Sequence, residues 1–315
     1  MALADALKTS LDELRMQMLG TQVLLGFQFQ GLFQDKFPTV GWAGRGTAAA
    51  GMAFLVIALG LIMAVPCQHR LIERGEVTQR IYSVSKRYAE LALLPLACGI
   101  GCSLFLAILG PFGTPTAVVL AVTAFAVAIG TWYLLAIFLR RSWSIHVGEV
   151  PMKNGATSLR TKIEQMLTEG RVILPGVQAL LGFQFVVMLT KAFGELPPAA
   201  RTVHLVALMS LALTIILLIA PAAIHRLTFG GNDDPRMHTS GSLLISAALL
   251  PLAVGLACDI WIALTRLFPD HPSIALWGAS IAFVLLVTFW YAIPLLLRAR
   301  IPDQDPGSQR PVRGP

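Results

Sequence analysis

This chain has little charge. Of its 315 residues, 13% are Asp, Glu, Lys or Arg, where a soluble domain carries about a quarter. It also has few cysteines. Cys67, Cys98, Cys102 and Cys258 form no disulfide framework, and three of them lie inside apolar runs. Cys98 and Cys102 are one helical turn apart and share a face, but no close Cys/His grouping of a structural zinc site accompanies them. They read as small residues of a membrane core, so no metal is expected. A nucleotide-binding loop, a nucleophile triad and a Cys-x-x-Cys pair are all missing, which weighs against an enzyme and implies no cofactor. A cleavable signal peptide is missing too, and the first apolar span is expected to serve as an uncleaved signal.

What the chain does have is apolar material in long runs. Hydrophobic residues make up 56% of it and the mean hydropathy is +0.71. Long runs, rather than apolar residues dispersed at core positions, mark membrane spans. The net charge of +7 does not point to nucleic acid, because the basic residues stand at the ends of the apolar runs. That placement follows the positive-inside rule and suits the anionic lipids of a cytoplasmic leaflet.

The sequence is duplicated. Leu24-Leu25-Gly26-Phe27-Gln28-Phe29 returns unchanged as Leu180-Leu181-Gly182-Phe183-Gln184-Phe185. In the same register Glu13 and Arg15 become Glu169 and Arg171, Gly20 and Gln22 become Gly176 and Gln178, and His69-Arg70 becomes His225-Arg226. Leu94-Pro95-Leu96-Ala97 becomes Leu250-Pro251-Leu252-Ala253, and a small insertion carries Trp132-Tyr133 to Trp290-Tyr291.

Each half contains four spans. The first half's run over about 16–33, 47–65, 91–109 and 117–139, and the second half's over about 172–190, 203–224, 243–265 and 273–297. The expected fold is all-α, a polytopic membrane protein of eight transmembrane helices in two parallel four-helix repeats. The first repeat spans 1–140, a polar linker 141–158, the second repeat 159–300, and a disordered tail rich in Pro, Arg and Gly 301–315. Leu3, Leu7, Leu11 and Leu14 form one face of an N-terminal amphipathic helix. It is expected either to lie on the membrane or to pack as a short cytosolic helix on a loop. All Lys and Arg except Lys36, Arg45, Lys191, Arg201 and Arg266 fall on one side, which places both termini in the cytoplasm of a bacterial inner membrane. An even number of spans per repeat makes the repeats parallel, related by a pseudo-two-fold axis along the membrane normal.

Several residues are candidates for a site. The first span of each half is polar for a membrane helix. Gln22, Gln28, Gln178 and Gln184 would be costly in lipid, so these helices must be enclosed by protein. The amides either line a solute path or join helices, and the pattern leans to the seam. Asp259 is an ionisable group inside a span, where the first half has Ser103. It is either a functional carboxylate or one neutralised by a nearby base such as Arg266, Lys191 or Arg201. His69-Arg70 and His225-Arg226 end their spans at the cytoplasmic side. They bind an anion or lipid headgroup, or simply stop the helix with charge that suits its dipole. Glu13 and Glu169, two residues from Arg15 and Arg171, cannot face those arginines on a helix. Each Glu is expected to pair with Arg70 or Arg226, joining spans one and two. Pro95 and Pro251 are expected to kink their helices.

Glu13-Leu14-Arg15, Gly20-x-Gln22, the Leu-Leu-Gly-Phe-Gln-Phe hexapeptide and Ala64-x-Pro66 before His69-Arg70 together resemble a bacterial family of uncharacterised four-span membrane proteins, of which each half resembles one member. The resemblance covers about 11–140 and 167–298, with Glu169-Gly170-Arg171 departing from it in the second copy. It implies the fold and membrane location and no activity. The leading functional expectation is passage or sensing of a small solute or ion. The alternative is a non-catalytic scaffold subunit packed against a membrane-protein partner. An internal polar cavity between the halves separates the two.

Overall fold

The structure is a computed structural model, and it describes residues 3–34, 37, 41–135, 137–138, 157–229 and 232–299. Most of the linker and all of the tail lie outside the described residues, as does most of the turn after the first span. Among the described residues every regular element is helical. The first half contributes α1 (Leu3–Gly31), α2 (Trp42–Leu71), α3 (Gln79–Gly110) and α4 (Phe112–Leu134). The second contributes α5 (Leu159–Met188), α6 (Pro198–Leu227), α7 (Pro235–Leu267) and α8 (Pro272–Ala299).

Local chemistry sets the helix boundaries. Thr78, Ser158 and Asp234 cap α3, α5 and α7, each side chain accepting a first-turn N–H that has no partner in the helix. Proline opens α6, α7 and α8, where its missing N–H costs nothing. At the start of α4 the chain turns at Gly113, whose φ of 79° and ψ of 169° only glycine adopts readily.

Seven helices, α2 to α8, are long and apolar enough to cross a bilayer. The expected count was eight, and the difference is α1, diluted by its glutamines. α1 is nonetheless one helix of 29 residues, roughly 43 Å at about 1.5 Å per residue. The N-terminal leucines do not form a separate interfacial helix. No breaker separates Arg15 from Met16, so the helix continues, and Leu3, Leu7, Leu11 and Leu14 are buried by protein. Ser10 on this stretch bonds Ser85 of α3 at 2.8 Å.

Both repeats share one internal device. A π-helical turn carries Trp132-Tyr133 in α4 and Trp290-Tyr291 in α8. Its tyrosine hydroxyl donates to a backbone carbonyl one turn before the proline of the neighbouring helix. Tyr133 bonds Glu90 at 2.6 Å, and Tyr291 bonds Ser246. α3 and α7 keep helical dihedrals through Pro95 and Pro251. In the second repeat the tyrosine of the π turn faces α7 while the neighbouring Trp290 faces α2.

Between the repeats, equivalent residues have different surroundings. α1 and α5 cross closely, and α2 packs on α7 and α8, while α6 makes no comparable contact with α3 or α4. Consequently α2 is buried through most of its apolar length and α6 is largely uncovered. Phe29 is 4% exposed and its equivalent Phe185 52%. Trp290 is fully buried, donating to the Gly60 carbonyl at 3.2 Å, and its equivalent Trp132 is half-buried.

Candidate functional site

Two polar clusters occupy the bundle. The first lies where α2 ends and α5 begins. Glu169 of α5 accepts hydrogen bonds from His69 Nδ1 at 2.6 Å and Arg70 Nη1 at 2.5 Å. All three side chains are at most 3% exposed. The pairing therefore crosses from the second half to the first, rather than joining spans one and two within each half. It also forms only once. Glu13 and Arg226 are exposed, His225 is half-buried, and no ion pair joins them. Arg15 and Arg171 are exposed as well.

The loop after α2 extends this cluster. Arg80 donates to Glu73 at 2.7 Å and to Gln68 at 3.1 Å. Glu76 accepts from Lys162 and, at 3.0 Å, from the Thr157 amide, while Val77 N–H donates to Thr157 Oγ1. Burial pushes the Glu76 carboxyl up, but the Lys162 and Thr157 bonds outweigh it and hold it below the ordinary carboxylate value. Gly75 makes the tight turn with φ of 80°, and a Cβ there would lie 2.8 Å from His238 Nε2.

The second cluster lies in the interior of the helix bundle. Gln28 of α1 donates to Ser103 of α3 at 2.7 Å. Gln184 of α5 donates to both carboxylate oxygens of Asp259 in α7, at 2.7 and 2.9 Å. These are equivalent links, and Asp259 stands where the first repeat has serine. Its partner is an amide, not a base. Arg266 turns away, donates to the Leu32 carbonyl and lies 5.1 Å over the Phe33 ring. Arg201 donates to the Leu196 and Gly194 carbonyls. His204 is buried between Phe29 and Phe193, with ring centroids 6.3 and 5.0 Å away.

Glycines bring α1 and α5 together. A Cβ on Gly176 would lie 1.5 Å from Gln22 Oε1, and one on Gly26 would lie 2.1 Å from the Phe183 ring. Gln22 is fully buried there, and neither of its amide atoms has a hydrogen-bond partner. Its equivalent Gln178 is exposed, and the equivalent glycines Gly20 and Gly182 meet nothing within 4 Å.

The cavities fit this picture. The space beside Asp259, bounded by Gly26, Phe29 and Phe183, is about 10 Å³, room for about one water. A cleft of about 620 Å³ between α2, α7 and α8 is apolar and includes Trp277 and Ile281. Another of about 460 Å³, beside Lys8, Glu164 and Arg171, opens where α1 and α5 begin. Among the described residues no three His, Cys, Asp or Glu side chains gather as a metal site would require.

The sequence reading singled out the glutamines, Asp259 and the charged helix ends. It missed the glycine crossings and the tyrosine-to-carbonyl bonds. The separation of 75 residues between Gln28 and Ser103 recurs between Gln184 and Asp259, and this recurrence was the available signal for Asp259's partner.

No curated protein and no solved structure matches the chain. A family of unknown function does match, twice, over residues 5–136 and 156–294. These matches cover most of both repeats and are consistent with tandem duplication of one uncharacterised domain. The chain, with its helices suited to a multi-pass membrane protein, belongs to this family of unknown function, DUF6328.

Proposed function

We propose that the chain is a non-catalytic scaffold subunit of a bacterial inner membrane. In this reading it crosses the bilayer eight times as two parallel repeats, with α1 as the eighth span and both termini cytoplasmic. The observation that carries it is the pairing of core polar groups helix to helix, Gln28 with Ser103 and Gln184 with Asp259, together with the closed seam between the halves, where the space beside Asp259 is about 10 Å³. A hydrated path between the halves needs polar groups facing open volume there, and the cleft of about 460 Å³ that Gln28 and Ser103 border lies within the first repeat and is otherwise apolar. The eighth span draws support from the length of α1 and its burial among α2, α3 and α5. The orientation draws support from Arg70, Arg80 and Lys162 at one end of the bundle and Arg45, Arg201 and Arg266 at the other. That distribution also suits anionic lipids at the first end. The test is purification in mild detergent with native mass spectrometry, and a stoichiometric bound protein or further chain is the expected result. Ion or solute flux in proteoliposomes above that of protein-free vesicles would overturn the reading.

One observation favours a second reading, proton- or cation-linked passage. Asp259 is a carboxylate within a span that lacks a basic partner. Asp259→Ser restores the first repeat's amide-to-hydroxyl link. Under this second reading it abolishes flux at a stability cost under about 1 kcal/mol.

A further inference from the structure

The burial differences between equivalent residues fall into two sets, and each set is one face. The first repeat buries one face against the second repeat: Gln22, Phe29, Phe33, Met63 and Arg70 are all under 10% exposed. Their equivalents Gln178, Phe185, Leu189, Ile219 and Arg226 are exposed. The second repeat buries a different face: Glu169, Gly176, Ile260 and Trp290 are buried, and Phe183 is half-buried. On that face of the first repeat Glu13, Gly20, Leu104 and Phe27 are exposed and Trp132 is half-buried. Two repeats related by a two-fold axis would bury the same residues on both sides. These bury opposite sets, so they pack head to tail. One face of the first repeat meets the complementary face of the second, and each repeat's other face is left open.

We infer that the open faces dock on a second copy of this chain, with Glu13 of one copy entering the His225-Arg226 pair of the next. Apolar exposure alone would mean nothing, since lipid covers such surfaces. Three observations name the occupant. The open faces carry opposite charge, Glu13 on one and Arg226 on the other, both without an ion-pair partner. The polar Gln178 stands uncovered among apolar neighbours, where Gln22 at the same position is enclosed against Gly176. Finally, the geometry that joins these residue types is already built once within the chain, as Glu169 with His69 and Arg70. A head-to-tail contact closes into a ring or runs on as a filament. The smallest closed assembly is two chains, four repeats. The inference does not depend on the scaffold reading and holds equally for a transporter.

The test uses full-length chains co-expressed in one membrane, one carrying Glu13→Cys with one tag and the other Arg226→Cys with a second tag. Both positions are exposed, so neither substitution disturbs folding. The expected product under oxidation is a disulfide-linked species of twice the chain mass bearing both tags, lost when either variant is paired with the unsubstituted chain. As a second measurement, native mass spectrometry in lipid nanodiscs is expected to show multiples of the chain, reduced by Glu13→Arg and restored when that chain is mixed with Arg226→Glu. Single chains in nanodiscs with no two-tag product overturn the inference. So does a complex in which a different protein covers the Arg226 face and no self-association occurs.

Discussion

Replacing Glu169 by alanine removes the only carboxylate between two buried bases. The consequence follows from the burial. Glu169, His69 and Arg70 have side chains at most 3% exposed, and Arg70 Nε and Nη2 already lack partners. Without the carboxylate the guanidinium is left buried with no counter-charge. Breaking a buried pair in this way costs about 3–5 kcal/mol. Glu169→Gln keeps an oxygen acceptor but not the charge. Because charge-assisted bonds are roughly twice as strong as neutral ones, about half the loss, ~2 kcal/mol, is expected. The equivalent change Glu13→Ala touches an exposed side chain with no ion pair and should shift the isolated chain by no more than about 0.5 kcal/mol. The assay is unfolding in mixed micelles of a mild detergent and SDS, followed by tryptophan fluorescence. Trp290 is buried against α2, so its emission reports separation of the halves. Equal losses for Glu13→Ala and Glu169→Ala would refute the reasoning, because the two residues would then have equivalent surroundings.

Other expectations use the same comparison between copies. Gly176→Ala places a methyl 1.5 Å from Gln22 Oε1 and should cost about 1–3 kcal/mol by overpacking, while Gly20→Ala should leave the isolated chain's unfolding midpoint unchanged. Asp259→Ala strands the Gln184 amide in the core and should cost about 1–3 kcal/mol. Asp259→Ser should cost under about 1 kcal/mol, because Gln28 with Ser103 is the same link; the same micelle assay reads both. Acid should loosen the loop after α2. The Glu76 carboxyl is held below its ordinary 4.5, so its contribution is complete above that value and is lost as the pH falls through the lower, folded-state value. Exchange of the Thr157 amide, corrected for its intrinsic pH dependence, should accelerate in that acid range and not between pH 6 and pH 8 by the order-of-magnitude rule for carboxylates of about 4.

The helical character of the described residues and the enclosure of Gln22 and Gln28 on α1 could be read from hydropathy and from the polarity of the first span. These depend on local composition and on what lipid tolerates. Which copy of a residue is paired could not be read. Glu13 and Glu169 are the same letter in the same repeat context, and only the packing of one repeat on the other decides that Glu169 is enclosed. The same holds for Gln22 and Gln178. The leucine stripe before Arg15 was legible as one face of a helix. Whether protein or lipid covered it depended on α3, which supplies Ser85 from far along the chain. Asp259 drew attention to nearby bases because charge usually seeks charge. The repeat itself held the better answer, since Gln28 already showed what an amide at that level of the bundle binds.

Head-to-tail packing of the two repeats is the central claim, and paired distances test it most directly. Leu71 and Arg171 adjoin the Arg70–Glu169 contact, and Leu227 and Arg15 are their equivalents beside Arg226 and Glu13. Spin labels at Leu71→Cys and Arg171→Cys, and in a second sample at Leu227→Cys and Arg15→Cys, give two distance distributions by electron–electron double resonance. Labelled chains are diluted in unlabelled ones so that only distances within a chain contribute. The account predicts a clearly shorter distance for 71–171 than for 15–227. Two superimposable distributions would mean a two-fold arrangement and would contradict it.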